Sequence, residues 1–169
     1  MGGHRGAERT TKQTRCAIVG VVDGENEDNP TYAELAAQRD GESVEAANAA
    51  FYDAFERRDF DQMSDCWEHS PRVVCTHPGW STLHGWSSVS ASWFALVTNA
   101  QRLQFILTNT VVAVEGDAAW VNCDENILDT DSSNTVAAIN MYVRAPDSVH
   151  GWLLVAHHGS VVYATAEVP

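Results

Sequence analysis

From Ser43 onward the apolar residues fall into a repeating pattern. Val44, Ala47, Phe51, Ala54 and Phe55 recur at helical spacing, and Ser43 is a suitable N-cap. A second short helix is predicted over Phe60–Trp67, with Phe60, Met63 and Trp67 on one side. Asp59 or Asp61 favours its positive N-terminal end, and Pro71 closes the pair. Arg72–His77 alternates, Val73, Cys75 and His77 against Val74 and Thr76, which predicts a strand broken by Pro78-Gly79. Gly85 introduces a third helix with Trp86, Val89, Trp93, Leu96 and Val97 as its stripe. Arg102–Glu115, Ala118–Leu128, Thr135–Arg144 and Trp152–Tyr163 then read as four strands. The turns at Gly116-Asp117, Asp129–Asn134 and Pro146–Gly151 make them an antiparallel meander. Three helices, a short strand and a meander predict an α+β domain over residues 42–165, a curved sheet wrapped by helices around an apolar pocket.

Residues 1–41 have a different texture. They hold the only lysine, Lys12, and the acidic turn-rich patch Asp23–Pro30, with a weak helix over Thr31–Arg39. A flexible or loosely docked tail is the expectation.

Alternation divides each meander strand into two faces. The odd positions are mostly apolar: Leu103 to Ala113, Ala119 to Ile127, Ala137 to Val143 and Leu153 to Val161. Asn109, Glu125 and His157 are the polar intruders among them. The even positions mix Trp120, Asn122, Asp124, Asn140, Tyr142, Trp152, His158 and Ser160. That is too polar for a core and too aromatic for a plain solvated surface. The odd face is therefore expected to line the pocket, and the even face to meet a second subunit in a homodimer.

Composition narrows the function classes. The net charge is −13, and the part after residue 41 carries five arginines against sixteen acids, about −11. Such a surface repels nucleic acid and anionic lipid, so a small molecule or another protein is the expected partner. No run approaches the roughly 20 apolar residues of a membrane helix, and Cys16–Val22 leads into acids without a cleavage pattern, so a cytoplasmic protein is expected. Cys16, Cys66, Cys75 and Cys123 form no CxxC pair and read as free thiols.

The segment Phe51–Phe60 (FYDAFERRDF), the turn His77-Pro-Gly-Trp80 and the ending Gly151–Ser160 (GWLLVAHHGS) resemble the nuclear transport factor 2-like superfamily, SnoaL-like branch, over about residues 42–165. Gly151, Trp152, His158 and Ser160 match its terminal pattern. The resemblance implies a cone-shaped α+β barrel, usually dimeric through its sheet, with a hydrophobic cavity. It also implies cofactor-free and metal-free chemistry by one or two carboxylates with a Tyr, Asn or His. Its members include cyclases, an isomerase, epoxide hydrolases, dehydratases and non-enzymatic binding or assembly domains. The Asp-Arg-Asp arrangement of the epoxide hydrolases and the Tyr and Asp pair of the isomerase are not evident here.

Glu125 is the sharpest candidate. A carboxyl on an apolar strand face is desolvated, and its raised pKa suits it to act as general acid or base. The structural alternative is a Glu satisfied by a nearby Trp or Tyr. His157 and His158 are adjacent on a strand and face opposite ways, so one of them is the candidate proton partner: the alternation favours His157, the resemblance His158. A His–Glu125 pair across neighbouring strands would make a relay. His77 and Trp80 are placed at the pocket mouth, and Trp93, Tyr52 and Asn109 are further candidates for binding a ligand. Trp67 and Trp93 also fit a plain core role. No HxH or HExxH spacing supports a metal, and no cofactor motif occurs. Two functions follow: an acid–base enzyme acting on a small apolar cyclic molecule, of the isomerase, cyclase or hydratase kind, or a non-catalytic binding or dimerisation module.

Overall fold

The computed structural model describes residues 30–98, 103–128 and 133–163. Within them lie three helices, α1 (Tyr32–Arg57), α2 (Phe60–Asp65) and α3 (Trp86–Thr98), and six strands. The strands are β1 (Val74–Thr76), β2 (Leu83–His84), β3 (Gln104–Glu115), β4 (Ala118–Leu128), β5 (Ser133–Arg144) and β6 (Trp152–Val161). They form one mixed sheet in the order β2-β1-β6-β5-β4-β3. Its last four members are the expected antiparallel meander, and β1 joins β6 in parallel. The fold is α+β, as the pattern of elements requires.

Three local readings are corrected. The helix expected to begin at Ser43 is continuous with the weak helix before it, from Tyr32 to Arg57. Thr31 caps it through a capping box with Glu34. Gly41 costs such a helix about 1 kcal/mol relative to Ala. The turn that carries it is held because Asp40 receives both Arg144 Nη atoms, at 3.0 and 2.9 Å, from β5. The two-residue strand β2, antiparallel to β1, is too short for alternation to reveal. The expected loose tail lies, for residues 1–29, outside the described residues, as does Cys16. Cys66, Cys75 and Cys123 are free thiols.

The third correction concerns which way the strands face. β4 buries Ala119, Val121, Cys123 and Glu125, the predicted odd set. β5 buries its even residues instead, Val136, Ala138, Asn140 and Tyr142, opposite those of β4. The polar Asn140 and Tyr142 disguise that face, because buried partners satisfy them. β3 and β6 change face midway. In β3 an irregularity between Thr108 and Val111, with Asn109 at φ 52°, turns Val111 outward and Val112 toward the core. In β6 a shift opposite Met141/Tyr142 leaves Val155 as the extra residue, so Trp152 and Leu154 are buried before it and His157 after it.

α1 lies against β3, β4 and β6, and α3 lies against β1 and β2. Between helices and sheet sits a core of Phe51, Met63, Trp67, Val89, Trp93 and Leu154, all almost fully buried. Arg58 ends α1 in the left-handed conformation at φ 59°. Its guanidinium donates to the Val97 and Thr98 carbonyls, tying α1 to the end of α3. Gly159 has a separate requirement: a Cβ there would stand 3.0 Å from Val136 Cγ1 and 3.1 Å from Pro78 Cγ. Glycine at this position lets the loop after β1 close over β6, which sets one wall of the pocket.

Candidate functional site

A cavity of about 190 Å³ opens between α1, α3 and the sheet. Its lining includes Tyr52, His77, Trp80, Trp93, Glu125 and His157, six of the residues singled out in the sequence. Phe51, Phe55, Leu96, Leu103, Phe105 and Ile127 supply apolar wall. At roughly 30 Å³ per water it holds about six waters, so it suits a single-ring molecule better than a large one. A second hollow of about 240 Å³, bounded by Ala47, Gln62, Cys66, Val149 and Trp152, gathers no comparable set of buried titratable groups.

Two candidates are placed elsewhere. His158 is exposed on the other face of β6, paired with Ile139, because consecutive strand residues point opposite ways. Asn109 is exposed at the irregularity in β3, where its Nδ2 donates to Asp124 Oδ2 at 2.6 Å. Neither belongs to the cavity wall. The direct His–Glu125 relay is also corrected: β5 separates the two strands, and the residues connect only through intermediates.

Those intermediates form a buried hydrogen-bonded chain. Tyr52 on α1 donates its hydroxyl to Glu125 Oε1 at 2.6 Å. Asn140 Nδ2 donates to Tyr52 Oη at 3.1 Å and to Asn48 Oδ1 at 2.8 Å. Tyr142 also donates to Asn48 Oδ1, at 2.9 Å. Asn140 Oδ1 stands 2.7 Å from His157 Nδ1. The sense of the chain follows from its end. An ionised carboxylate only accepts, so Tyr52 must donate to it and take its own hydrogen bond from the Asn140 amide. Asn140 then presents its oxygen to His157, which carries its proton on Nδ1 and leaves Nε2 bare. His77 is fixed in the same way from α3. Ser92 gives its hydroxyl proton to the Val89 carbonyl at 2.7 Å, so it accepts from His77 Nε2 at 2.9 Å, and Nδ1 has only the Cys75 thiol, at 3.9 Å.

Burial sets the charge state of each group. Glu125 is only 4% exposed, and desolvation pushes its pKa up to about 7, against the downward pull of the Tyr52 hydroxyl. Burial lowers His77 to about 4. It lowers His157 to about 3, with the neighbouring His77 and His158 adding to the effect. Tyr52 is raised, by burial first and by the Glu125 charge second, so it stays a donor. At neutral pH the cavity therefore holds two neutral imidazoles and one carboxyl divided between acid and base. Trp80 stands half-exposed at its edge, with its ring 5.0 Å from that of His77. Among the described residues no three His, Cys, Asp or Glu side chains gather as metal donors.

Asn48 and Asn140 were not singled out in the sequence. Asn48 lies on the apolar stripe of α1 between Val44 and Tyr52, and Asn140 alternates with Val136 and Ala138. A polar residue in each apolar series was the available signal.

Comparison with known proteins agrees with this architecture. The family model of the SnoaL-like domain matches residues 44–164. A protein of Streptomyces avermitilis described as a "putative dehydratase" of the NTF2-like family is 40% identical, over 75% of this chain and 99% of that one, with a TM-score of 0.69. A "putative calcium/calmodulin-dependent protein kinase type II association domain" from Thiobacillus denitrificans is 32% identical, over 70% of this chain and 94% of its own, with a TM-score of 0.60. An NTF2-like protein with a cystatin-like fold from Novosphingobium aromaticivorans, 20% identical over 80% of this chain and 93% of its own, shares the fold with a TM-score of 0.61. Among curated proteins none matches. The chain belongs to the SnoaL-like domain family of the nuclear transport factor 2-like superfamily.

Proposed function

We propose that this protein is a cofactor-independent acid–base enzyme that eliminates water from a small, largely apolar cyclic molecule. The observation that carries this reading is Glu125, a carboxyl with a pKa of about 7 set in an apolar cavity. A group whose pKa matches the working pH serves equally as base and as acid. The histidines do not: with a pKa of about 3, only about one His157 in 10⁴ is protonated at pH 7. Their role is to accept hydrogen bonds and orient the ligand.

In the elimination, the Glu125 carboxylate takes a proton from a carbon beside an activating group. The electron pair of that C–H bond becomes the new double bond as the neighbouring C–O bond breaks. The departing hydroxide takes the proton back from Glu125 and leaves as water, so the enzyme returns to its starting state. The Streptomyces avermitilis protein's description as a "putative dehydratase" supports this reaction class over isomerisation or cyclisation.

Native mass spectrometry of freshly purified protein is the practical entry, because a retained compound identifies the ligand class. Incubated with the wild type, the substrate loses the mass of one water; with Glu125→Gln it persists, while the variant still folds. Turnover by Glu125→Gln at the wild-type rate excludes the proposed role. The second reading, a non-catalytic binding or assembly module, is favoured by likeness to the "association domain" from Thiobacillus denitrificans. It predicts a retained compound that neither form alters.

A homodimer through the sheet is part of the same proposal. Ile106, Val111 and Met141 are exposed on the sheet strands β3 and β5, an apolar surface suited to a second copy. Sedimentation velocity at micromolar concentration is expected to show a dimer; a monomer there removes this part of the proposal.

A further inference from the structure

Two acceptors in the cavity wall have no hydrogen-bond partner among the described residues, and a third has only a thiol. Among the described residues, Glu125 Oε2 receives no hydrogen bond, since Tyr52 engages only Oε1. His157 Nε2 is bare because Nδ1 is committed to Asn140. His77 Nδ1 has only the Cys75 thiol near it, at 3.9 Å. Above pH 7, where Glu125 is mostly ionised, each is an acceptor, and the unpaired buried donor on a lining residue is the Trp93 indole N–H. No described lysine or arginine lines the cavity, so an ionised Glu125 has no cation to offset it there. Around these atoms stand the rings of Phe51, Tyr52, Phe55, Trp80, Trp93 and Phe105, whose faces carry the partial negative charge that attracts a cation. The chain's charge of −13 favours the approach of positive ligands.

We infer that the natural ligand carries a protonated amine, which docks on Glu125 and the open His157 Nε2 inside this aromatic enclosure. An ammonium group brings several N–H donors to these acceptors. It also supplies the charge that a desolvated carboxylate lacks. An anion meets the ionised Glu125 with no described cation beside it, and a neutral alcohol satisfies an acceptor but leaves the carboxylate uncompensated. The inference uses the ligand pocket of the proposed function and is independent of turnover.

Three single-ring probes separate the possibilities: benzylamine, benzyl alcohol and benzoate, each titrated calorimetrically into the full chain at pH 7.5. Benzylamine is expected to bind at a single site at least tenfold more tightly than benzyl alcohol, with benzoate undetectable. Glu125→Gln is expected to bring benzylamine down to the affinity of the alcohol while leaving the alcohol within about threefold. The melting temperature of the variant reports whether it has folded; if it has not, the wild-type order of affinities decides alone. Benzyl alcohol or benzoate binding as tightly as benzylamine overturns the amine inference and leaves the pocket reading standing. Binding by none of the three overturns both.

Discussion

Replacing Asn140 with Leu is expected to lower the unfolding free energy by about 3–5 kcal/mol, although the two side chains are of similar size. Asn140 is fully buried at the centre of the chain that runs from His157 to Glu125. Leucine removes three hydrogen bonds together: the oxygen facing His157 Nδ1, and the amide donations to Asn48 and Tyr52. Asn48 keeps the Tyr142 hydroxyl, and Tyr52 keeps Glu125 as its acceptor. The Nδ1–H of His157 keeps nothing. An orphaned buried donor costs about 1–3 kcal/mol, and the remaining broken bonds add about 1 kcal/mol each. Against a usual domain stability of about 5–15 kcal/mol, the loss leaves the variant marginal. Urea denaturation with an unchanged m-value is the check. A loss below about 1 kcal/mol would mean that the chain of hydrogen bonds does not exist as described.

The second large effect is on the pH dependence of stability, where the buried groups oppose one another. His77 and His157 have folded pKa values depressed to about 4 and about 3. Their stabilising contribution is complete above the unfolded value near 6.5 and is lost as pH falls from there through the folded values. Glu125 runs the other way. Its folded pKa is raised from 4.5 to about 7, so its contribution is complete below 4.5 and is lost as pH rises to 7. Between pH 5 and 6 the unfolded chain holds nearly two extra protons on the histidines, and the folded chain holds about one extra on Glu125. The histidines win by about one proton. Stability is therefore expected to rise with pH by about 1.2 kcal/mol per unit in that interval.

Other titratable groups around Glu125 do not disturb this balance. Tyr52 on α1, Cys75 on β1 and Cys123 on its own strand are all raised, chiefly by burial, and stay protonated. Glu34, Asp40 and Glu68 at the surface are held low by hydrogen bonds to Thr31, Arg144 and Arg72, and act at more acidic pH. Glu125→Gln removes the opposing group, so the slope is expected to double to about 2.4 kcal/mol per pH unit. Denaturant titrations at pH 5.0, 5.5 and 6.0 compare the two proteins. Equal slopes would show that Glu125 ionises alike in the folded and unfolded chains.

The elements were largely legible in the sequence because apolar spacing fixes them locally. The α3 stripe and the β3–β4 turn at Gly116-Asp117 needed no distant information. Glu125 was legible for the same reason, as the acid in the regular series Ala119, Val121, Cys123. The facing of β5 was not, since whether Asn140 and Tyr142 are core or surface depends on Asn48, which lies 92 and 94 residues earlier in the chain. Alternation also cannot register an extra residue. The irregularities in β3 and β6 reversed the expected facing of Val111, Asn109, Trp152 and Leu154. His157 kept its place in the cavity because Val155 absorbs the shift two residues before it. The length of α1 was hidden by Gly41, whose helical cost is offset by the Asp40–Arg144 pair, a contact between residues 104 positions apart in the chain.

All of the proposed chemistry rests on one carboxyl group remaining half-protonated near neutrality. Carbon-13 NMR of glutamate-labelled protein follows the side-chain carboxyl resonances with pH, and Glu125→Gln identifies the one in question. Glu125 is expected to show an inflection near pH 7, moving still higher in Tyr52→Phe, where the hydroxyl that favours the carboxylate is gone. An inflection near 4.5 in the wild type, unmoved by Tyr52→Phe, would contradict this expectation.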